Sequence, residues 1–218
     1  MSIFDKKNKS KMGASYDNIL GDYYSLEELQ PIFCGKSGIT LSPLGWAQIM
    51  DEHYPVLMST MWSASTNIQQ FIPSLDFSTP EKVKAFMISA SKVTELGVKF
   101  AYVITVNHIP AGMFILTTPY LNNKEFNYDY WTMDFFLFSM FEGKGIMSVA
   151  LPWMLQFLQG LDVADLHLIV DENNTRCLNL LANLPVDEID NSFWHSSING
   201  RHPKVFSCPL AFIDFQRK

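Results

Sequence analysis

The stretch from Tyr130 to Leu161 constrains this chain more than any other. It opens with an apolar, aromatic run, Trp131-Thr132-Met133-Asp134-Phe135-Phe136-Leu137-Phe138, which reads as a strand buried on both faces. It closes with Ile146, Val149, Ala150, Trp153, Met154, Phe157, Leu158 and Leu161, whose spacings of three and four make one apolar stripe of a helix. Between them lies Phe141-Glu142-Gly143-Lys144-Gly145-Ile146-Met147. Strand, glycine turn and helix in that order aim free backbone N–H groups and the positive end of a helix dipole at an anion. Gly143 and Gly145 let the backbone approach a phosphate closely, and either can take positive φ. A glycine pair at a turn is common, so the pattern alone is as compatible with a plain turn as with a site.

The composition removes several function classes. With 218 residues, 48% hydrophobic and 17% charged, the chain is long enough for one domain of ordinary size with a full core. A net charge of −6, with no basic block beyond Lys6, Lys7, Lys9 and Lys11, argues against nucleic acid as a partner. Cys34, Cys177 and Cys208 are too few and too irregular for a disulfide framework or a zinc site, and they fit a reducing cytoplasm. No apolar run approaches the length of a membrane span, and the polar N-terminus lacks the core of a signal peptide. A cytoplasmic protein without a membrane or a metal, monomeric or homodimeric, is the expectation. Neither H-E-x-x-H, C-x-x-C nor G-x-S-x-G occurs.

Along the chain, residues 1–37 read as a polar tail followed by a short helical extension, Tyr16 to Cys34, capped by Ser25 with Glu28 three residues later. Gly35 to Gly38 reads as a turn and Gly38 to Leu44 as a short strand. Trp46 to Trp62 has helical periodicity, with Pro55 expected to break or kink it. Phe71 to Phe77 reads as a loop, and Thr79-Pro80 opens a helix that Gly97 closes. Phe100 to Thr118 is a strand hairpin turning at Asn107-His108, and Pro119 to Tyr128 a polar loop. After the organising strand and helix come a strand over Leu166 to Val170, a helix over Thr175 to Leu184, and a closing pair of strands ending in Val205 to Ile213. Pro152 falls inside the organising helix, where it removes a backbone bond at a cost of about 3 kcal/mol and predicts a bend. The whole is a layered α/β (α+β) domain over 38–218, without internal repeats.

Three segments carry a resemblance. Phe141-Glu142-Gly143-Lys144-Gly145-Ile146-Met147-Ser148-Val149-Ala150-Leu151 resembles the acyl-CoA pyrophosphate loop of the GNAT acetyltransferases. It is most similar to the branch of ribosomal-protein alanine N-acetyltransferases, whose loop reads roughly W-G-K-G-hydrophobic-x-x-E-A-L. Val170 to Cys177 resembles that branch's V-x-x-x-N-x-x-S, and Ile39 to Leu44 its opening L-x-L-R-P-L strand. The three lie in register over roughly Gly38 to Leu210.

The resemblance implies the GNAT fold: a mixed, mostly antiparallel central sheet with helices on both faces. It also implies transfer of acetyl from acetyl-CoA to a primary amine, a protein N-terminus or a small amine, by direct attack in a ternary complex. By resemblance, backbone groups of Phe136, Leu137 and Phe138 hold the donor's pantetheine arm. The N–H groups of Phe141, Glu142, Gly143, Lys144, Gly145, Ile146 and Met147 hold its pyrophosphate. Asn174 is a helix N-cap that also reaches the pantetheine.

Asp134, the sole carboxylate in an apolar strand, is the leading general base, because burial there raises its pKa. The competing view is a structural aspartate at a bulge. Glu125, Asp129 and His108 are weaker candidates, and His167 and His195 read as strand histidines. Cys177 stands at the branch's Ser position and is either a donor to the leaving thiolate or a small buried filler. Met140, Leu181 and Pro185-Val186 depart from the superfamily pattern, Leu181 near the place of its acid tyrosine. These departures leave an alternative, an inactive protein of this fold that binds CoA or a protein partner.

Overall fold

A computed structural model describes residues 29–35, 37–45, 48, 50–72, 74–95, 97–119, 130–189 and 203–212. Its elements are β1 (Ile32–Phe33), β2 (Ile39–Pro43), α1 (His53–Ser63), α2 (Thr66–Phe71), α3 (Pro80–Glu95), β3 (Lys99–Val106), β4 (Ile109–Thr117) and β5 (Trp131–Leu137). A 3₁₀ turn over Ser139–Phe141 leads to α4 (Ile146–Gly160), β6 (Leu166–Asp171), α5 (Thr175–Leu181), β7 (Asp187–Ile189) and β8 (Pro203–Cys208). The expected tail, residues 16–28 of the expected helical extension, Trp46, Ile49, Glu125, Asp129 and His195 lie outside the described residues.

Among the described residues eight strands form one sheet in the order β1-β2-β3-β4-β5-β6-β8-β7. Every neighbouring pair is antiparallel except β5 and β6, which run parallel. The hairpin between β3 and β4 turns on Asn107 and His108, with φ of 49° and 69°. Two consecutive left-handed residues make a turn whose twist matches that of the flanking strands, and Asn and His tolerate it better than most. Near this tip the register shifts between Ile104 and Thr105.

Alternation along β5 puts Phe136 and Asp134 on one face, Met133, Phe135 and Leu137 on the other. Phe136 meets Trp62 of α1 and Phe77, at centroid distances of 6.4 and 6.5 Å. Phe77 in turn meets Phe86 of α3 at 5.0 Å. On the opposite face Tyr102 of β3 packs on Phe157 of α4 at 5.4 Å. Ala150, Met154 and Leu158 of the expected α4 stripe are fully buried, but so are Leu151 and Leu155 beside it, while Trp153 is exposed, so the buried face is rotated from the one expected. The two helical layers bury both faces of the sheet centre, which is the source of most of the stability.

Several expectations shift. Ile32 and Phe33 form a short edge strand on β2 instead of the end of a helix. The helical stretch expected from Trp46 is interrupted at Asp51 and Glu52, between helical Gln48 and Met50 and the start of α1 at His53, so Pro55 falls in the first turn of α1, where a missing N–H costs nothing. A short helix, α2, occupies Thr66–Phe71, a stretch to which the sequence assigns no element before the expected loop at Phe71. α5 ends at Leu181, earlier than Leu184, whereas α4 holds Pro152 in its interior as expected. β5 is not buried throughout, because Asp134 is reached by solvent. Thr79 does cap α3, its hydroxyl accepting from the Lys82 N–H at 3.4 Å.

Candidate active-site cleft

Only Trp131 with Leu166 and Thr132 with His167 pair β5 to β6. Beyond them the two strands diverge, and the gap opens into a cleft of about 1180 Å³ between α2, the loop after β5, the start of α4, and α5. The divergence leaves backbone groups of β5 without a neighbouring strand. Their parity follows from the ladder on the other side. The Phe138 N–H donates to the Ala111 carbonyl at 2.8 Å, and Gly112 pairs with Leu137, so the even-numbered residues of β5 face β4. Leu137 and Phe135 therefore present N–H and C=O to the cleft, whereas Phe136 and Phe138 are committed to β4. Gly112 makes this pairing possible, since a Cβ there would lie 2.1 Å from the Phe136 carbonyl oxygen.

The loop after β5 is held from beneath. The buried Ser65 hydroxyl, donating to the Met61 carbonyl at 2.7 Å, accepts from the Ser139 N–H at 2.9 Å. The N–H groups of Phe141 and Glu142 donate within the 3₁₀ turn, to Phe138 at 2.8 Å and Ser139 at 3.2 Å. Gly143 and Gly145 follow with φ of 70° and 73°. Among the described residues no backbone acceptor is assigned to the Gly143 or Lys144 N–H, and the first N–H groups of α4 lack intrahelical acceptors by construction. Nothing lies within 4 Å of where a Cβ of either glycine would stand. The turn is therefore glycine because of its backbone conformation, and it borders open space at the positive end of a fifteen-residue helix.

The cleft brings together Asp134, Phe136, Leu137, Glu142, Gly143, Gly145, Ile146, Met147, Asn174 and Cys177. It does not include Phe138, Phe141 or Lys144. Phe138 is fully buried, edge-on to Phe136 at 5.6 Å. Lys144 places its Nζ over the Phe141 ring, 5.7 Å from the centroid, and both line a separate groove of about 370 Å³ toward Ile39 and Val106. His108 sits on the β3–β4 hairpin, away from the cleft lining. His167 also lies outside that lining and is bonded to Asp165 at 2.9 Å under a stacked Tyr130.

Asp134 stands at the bottom of the split, on the face covered by α1 to α3. Water reaches it through the opening, yet the surrounding protein is dense enough that desolvation raises its pKa, with Lys99 acting weakly in the other direction. Among the described residues its carboxylate makes no hydrogen bond, and β5 has no bulge. Cys177 lies across the cleft at the start of α5, where Asn174 accepts its N–H at 3.1 Å and so caps the helix. Burial pushes the Cys177 thiol up to about 12, so it remains S–H. Leu181 is fully buried.

Sequence reasoning missed two polar groups. Glu142 Oε2 accepts from Asn67 Nδ2 of α2 at 3.2 Å and from Arg176 Nη1 of α5. This bridge crosses the cleft over separations of 75 and 34 residues, for which the sequence carries no local signal. No group of three or more His, Cys, Asp or Glu able to hold a metal occurs among the described residues, and none of their helices is long and apolar enough to cross a membrane.

No protein-family model matches the chain, nor does any curated protein sequence. Solved structures do. The ribosomal L7/L12 alpha-N-protein acetyltransferase RimL in complex with coenzyme A superposes with a TM-score of 0.65 at 15% identity, over 82% of this chain and 97% of that one. The ribosomal-protein S5 alanine acetyltransferase of Vibrio fischeri gives 0.63 at 16%, over 81% and 96%. RimJ of Mycobacterium smegmatis, in complex with CoA-disulfide, gives 0.62 at 12%, over 78% and 81%. The chain thus has the GNAT acetyltransferase fold, a mixed and mostly antiparallel sheet with helices on both faces, as the three motifs implied. Identities this low speak to the fold.

Proposed function

We propose that this protein is a GNAT-type N-acetyltransferase that moves acetyl from acetyl-CoA to a protein N-terminus. The observation that carries the reading is the split between β5 and β6, which opens onto the glycine turn of α4 with Asp134 and Cys177 on its walls. The structural neighbours, which include a coenzyme A complex and acetyltransferases of ribosomal proteins, favour the donor and the acceptor class.

In this reading the donor's diphosphate lies on the free N–H groups from Gly143 to Met147. Its pantetheine runs along β5 toward Leu137 and Phe135, and the acceptor amine enters from the α2 side, where Asp134 points. The amine nitrogen attacks the thioester carbonyl carbon, and an outward N–H of β5 supports the oxyanion. Asp134 takes the ammonium proton, directly or through water, and its raised pKa makes it a stronger base than an exposed carboxylate. The C–S bond then breaks. The departing thiolate belongs to a thiol with a pKa of about 8.5, well below that of Cys177, so Cys177 offers it a hydrogen bond while keeping its proton.

The test is purified protein with acetyl-CoA and peptides of varied N-terminal sequence, followed by thiol release and peptide mass. Acetylated peptide is the expected result. Acetyl-CoA binding by calorimetry without turnover on any peptide or small amine would favour the non-catalytic alternative. Absence of binding would sink the reading of the cleft.

A further inference from the structure

The cleft has an unusual charge balance for a site that takes a phosphorylated donor. Among the described residues that line it, three are carboxylates, Asp134, Glu142 and Asp171, and one is a cation, Arg176. Lys144, the cation that the loop sequence suggests, is turned away onto the Phe141 ring. Arg176 is bonded to Glu142, the residue directly before Gly143, so its guanidinium already stands at the glycine turn. Its side chain is 72% exposed, whereas that of Glu142 is 22% exposed and also fixed by Asn67.

We propose that Arg176 is the cationic ligand of the donor's diphosphate and that Glu142 competes with the diphosphate for it. This rests on the acetyl-CoA reading of the cleft. A guanidinium matches two phosphate oxygens as well as it matches a carboxylate, and a donor diphosphate at the turn offers more charge than Glu142 does. Glu142, anchored and less exposed, stays beside the turn and repels the incoming phosphates. Donor binding therefore exchanges one partner of Arg176 for another, and the carboxylate holds the affinity below what the cradle alone would give.

The exchange makes the two variants move in opposite directions, whereas a purely structural tie would make both weaken the site. Calorimetry with acetyl-CoA on the full chain should give a dissociation constant about tenfold higher or more for Arg176→Ala, the order of one charge-assisted contact. Glu142→Gln, which can still accept from Asn67, should lower it severalfold. Arg176→Lys should fall between Ala and wild type, and exposure of Arg176 makes both substitutions safe for folding, which melting temperatures check. The Arg176→Ala penalty should persist with acetyl-3′-dephospho-CoA. Its disappearance there would overturn the diphosphate assignment. Weaker binding in Glu142→Gln, or unchanged binding in Arg176→Ala, would overturn the proposal while leaving wild-type binding as support for the donor site. No wild-type binding would instead fault the underlying reading.

Discussion

Gly145 is where the backbone argument can be tested with a single methyl group. Its φ of 73° is left-handed, it is the N-cap of α4, and an added Cβ would meet nothing within 4 Å. Gly145→Ala therefore carries no clash, only the left-handed cost of about 1–2 kcal/mol. At roughly 2–4 °C per kcal/mol for a domain of this size, the melting temperature should fall by about 2–8 °C. The methyl would project into open space at the positive end of the helix, where the proposed diphosphate lies. Acetyl-CoA affinity should then drop at least tenfold, about 1.4 kcal/mol, and Gly145→Val should abolish it. Gly160, at the other end of the same helix, supplies the control. It too has nothing within 4 Å, and its φ is not left-handed, so Gly160→Ala should hold or raise the melting temperature and leave binding alone. Calorimetry below the transition separates the effects. An affinity within twofold of wild type in folded Gly145→Ala would refute the cradle.

Asp134→Asn should keep acetyl-CoA binding and reduce kcat by about 10²–10⁴, and wild-type activity should rise with pH through a value above the ordinary carboxylate range. Because the folded-state pKa of Asp134 is raised, its stability contribution is present below the unfolded pKa and lost as pH rises through the folded one. The Asn variant should therefore melt no lower than wild type at neutral pH. Cys177→Ser should retain turnover and Cys177→Ala lose it, both with normal donor affinity, and turnover in Ala equal to wild type would make the thiol a filler. Gly112→Ala should destabilise by about 3 kcal/mol or more in a denaturant titration, since its Cβ would meet a carbonyl oxygen at 2.1 Å.

The features legible in the sequence are those built from neighbours along the chain. The α4 stripe, the glycine turn, the Thr79 cap and the Asn174 cap each need only residues within one or two helical turns. Pro55 marked the interruption of the Trp46–Trp62 stretch, because a proline is excluded from a helix interior but suits a first turn. Ile32 and Phe33 became a strand through pairing with Leu41 and Thr40, which local periodicity does not report. The candidate site divides in the same way. Its loop could be read, but the direction of Lys144, the parity that selects Leu137 and Phe135 over Phe136 and Phe138, and the Asn67–Glu142–Arg176 bridge all depend on tertiary register.

One structural cause underlies both proposed chemical roles. Because β5 and β6 pair only at their first residues, the sheet opens into a cleft whose apolar walls include Ile68 and Phe136 on the Asp134 side and Met133, Leu151 and Leu168 on the other. Those apolar walls desolvate whatever stands between them, and they raise Asp134 and Cys177 alike. The same push serves opposite ends. It makes the carboxylate a stronger proton acceptor once ionised, and it keeps the thiol protonated as a hydrogen-bond donor. A change that wets the cleft should therefore lower both pKa values together. Ile68→Ser, on α2 over the Asp134 side of the cleft, is such a change. It should shift the rising limb of the pH–rate profile toward acid, while Asp134→Asn in the same background removes that limb altogether. A limb unmoved by Ile68→Ser would detach the base from the apolar cleft walls and with it the common cause.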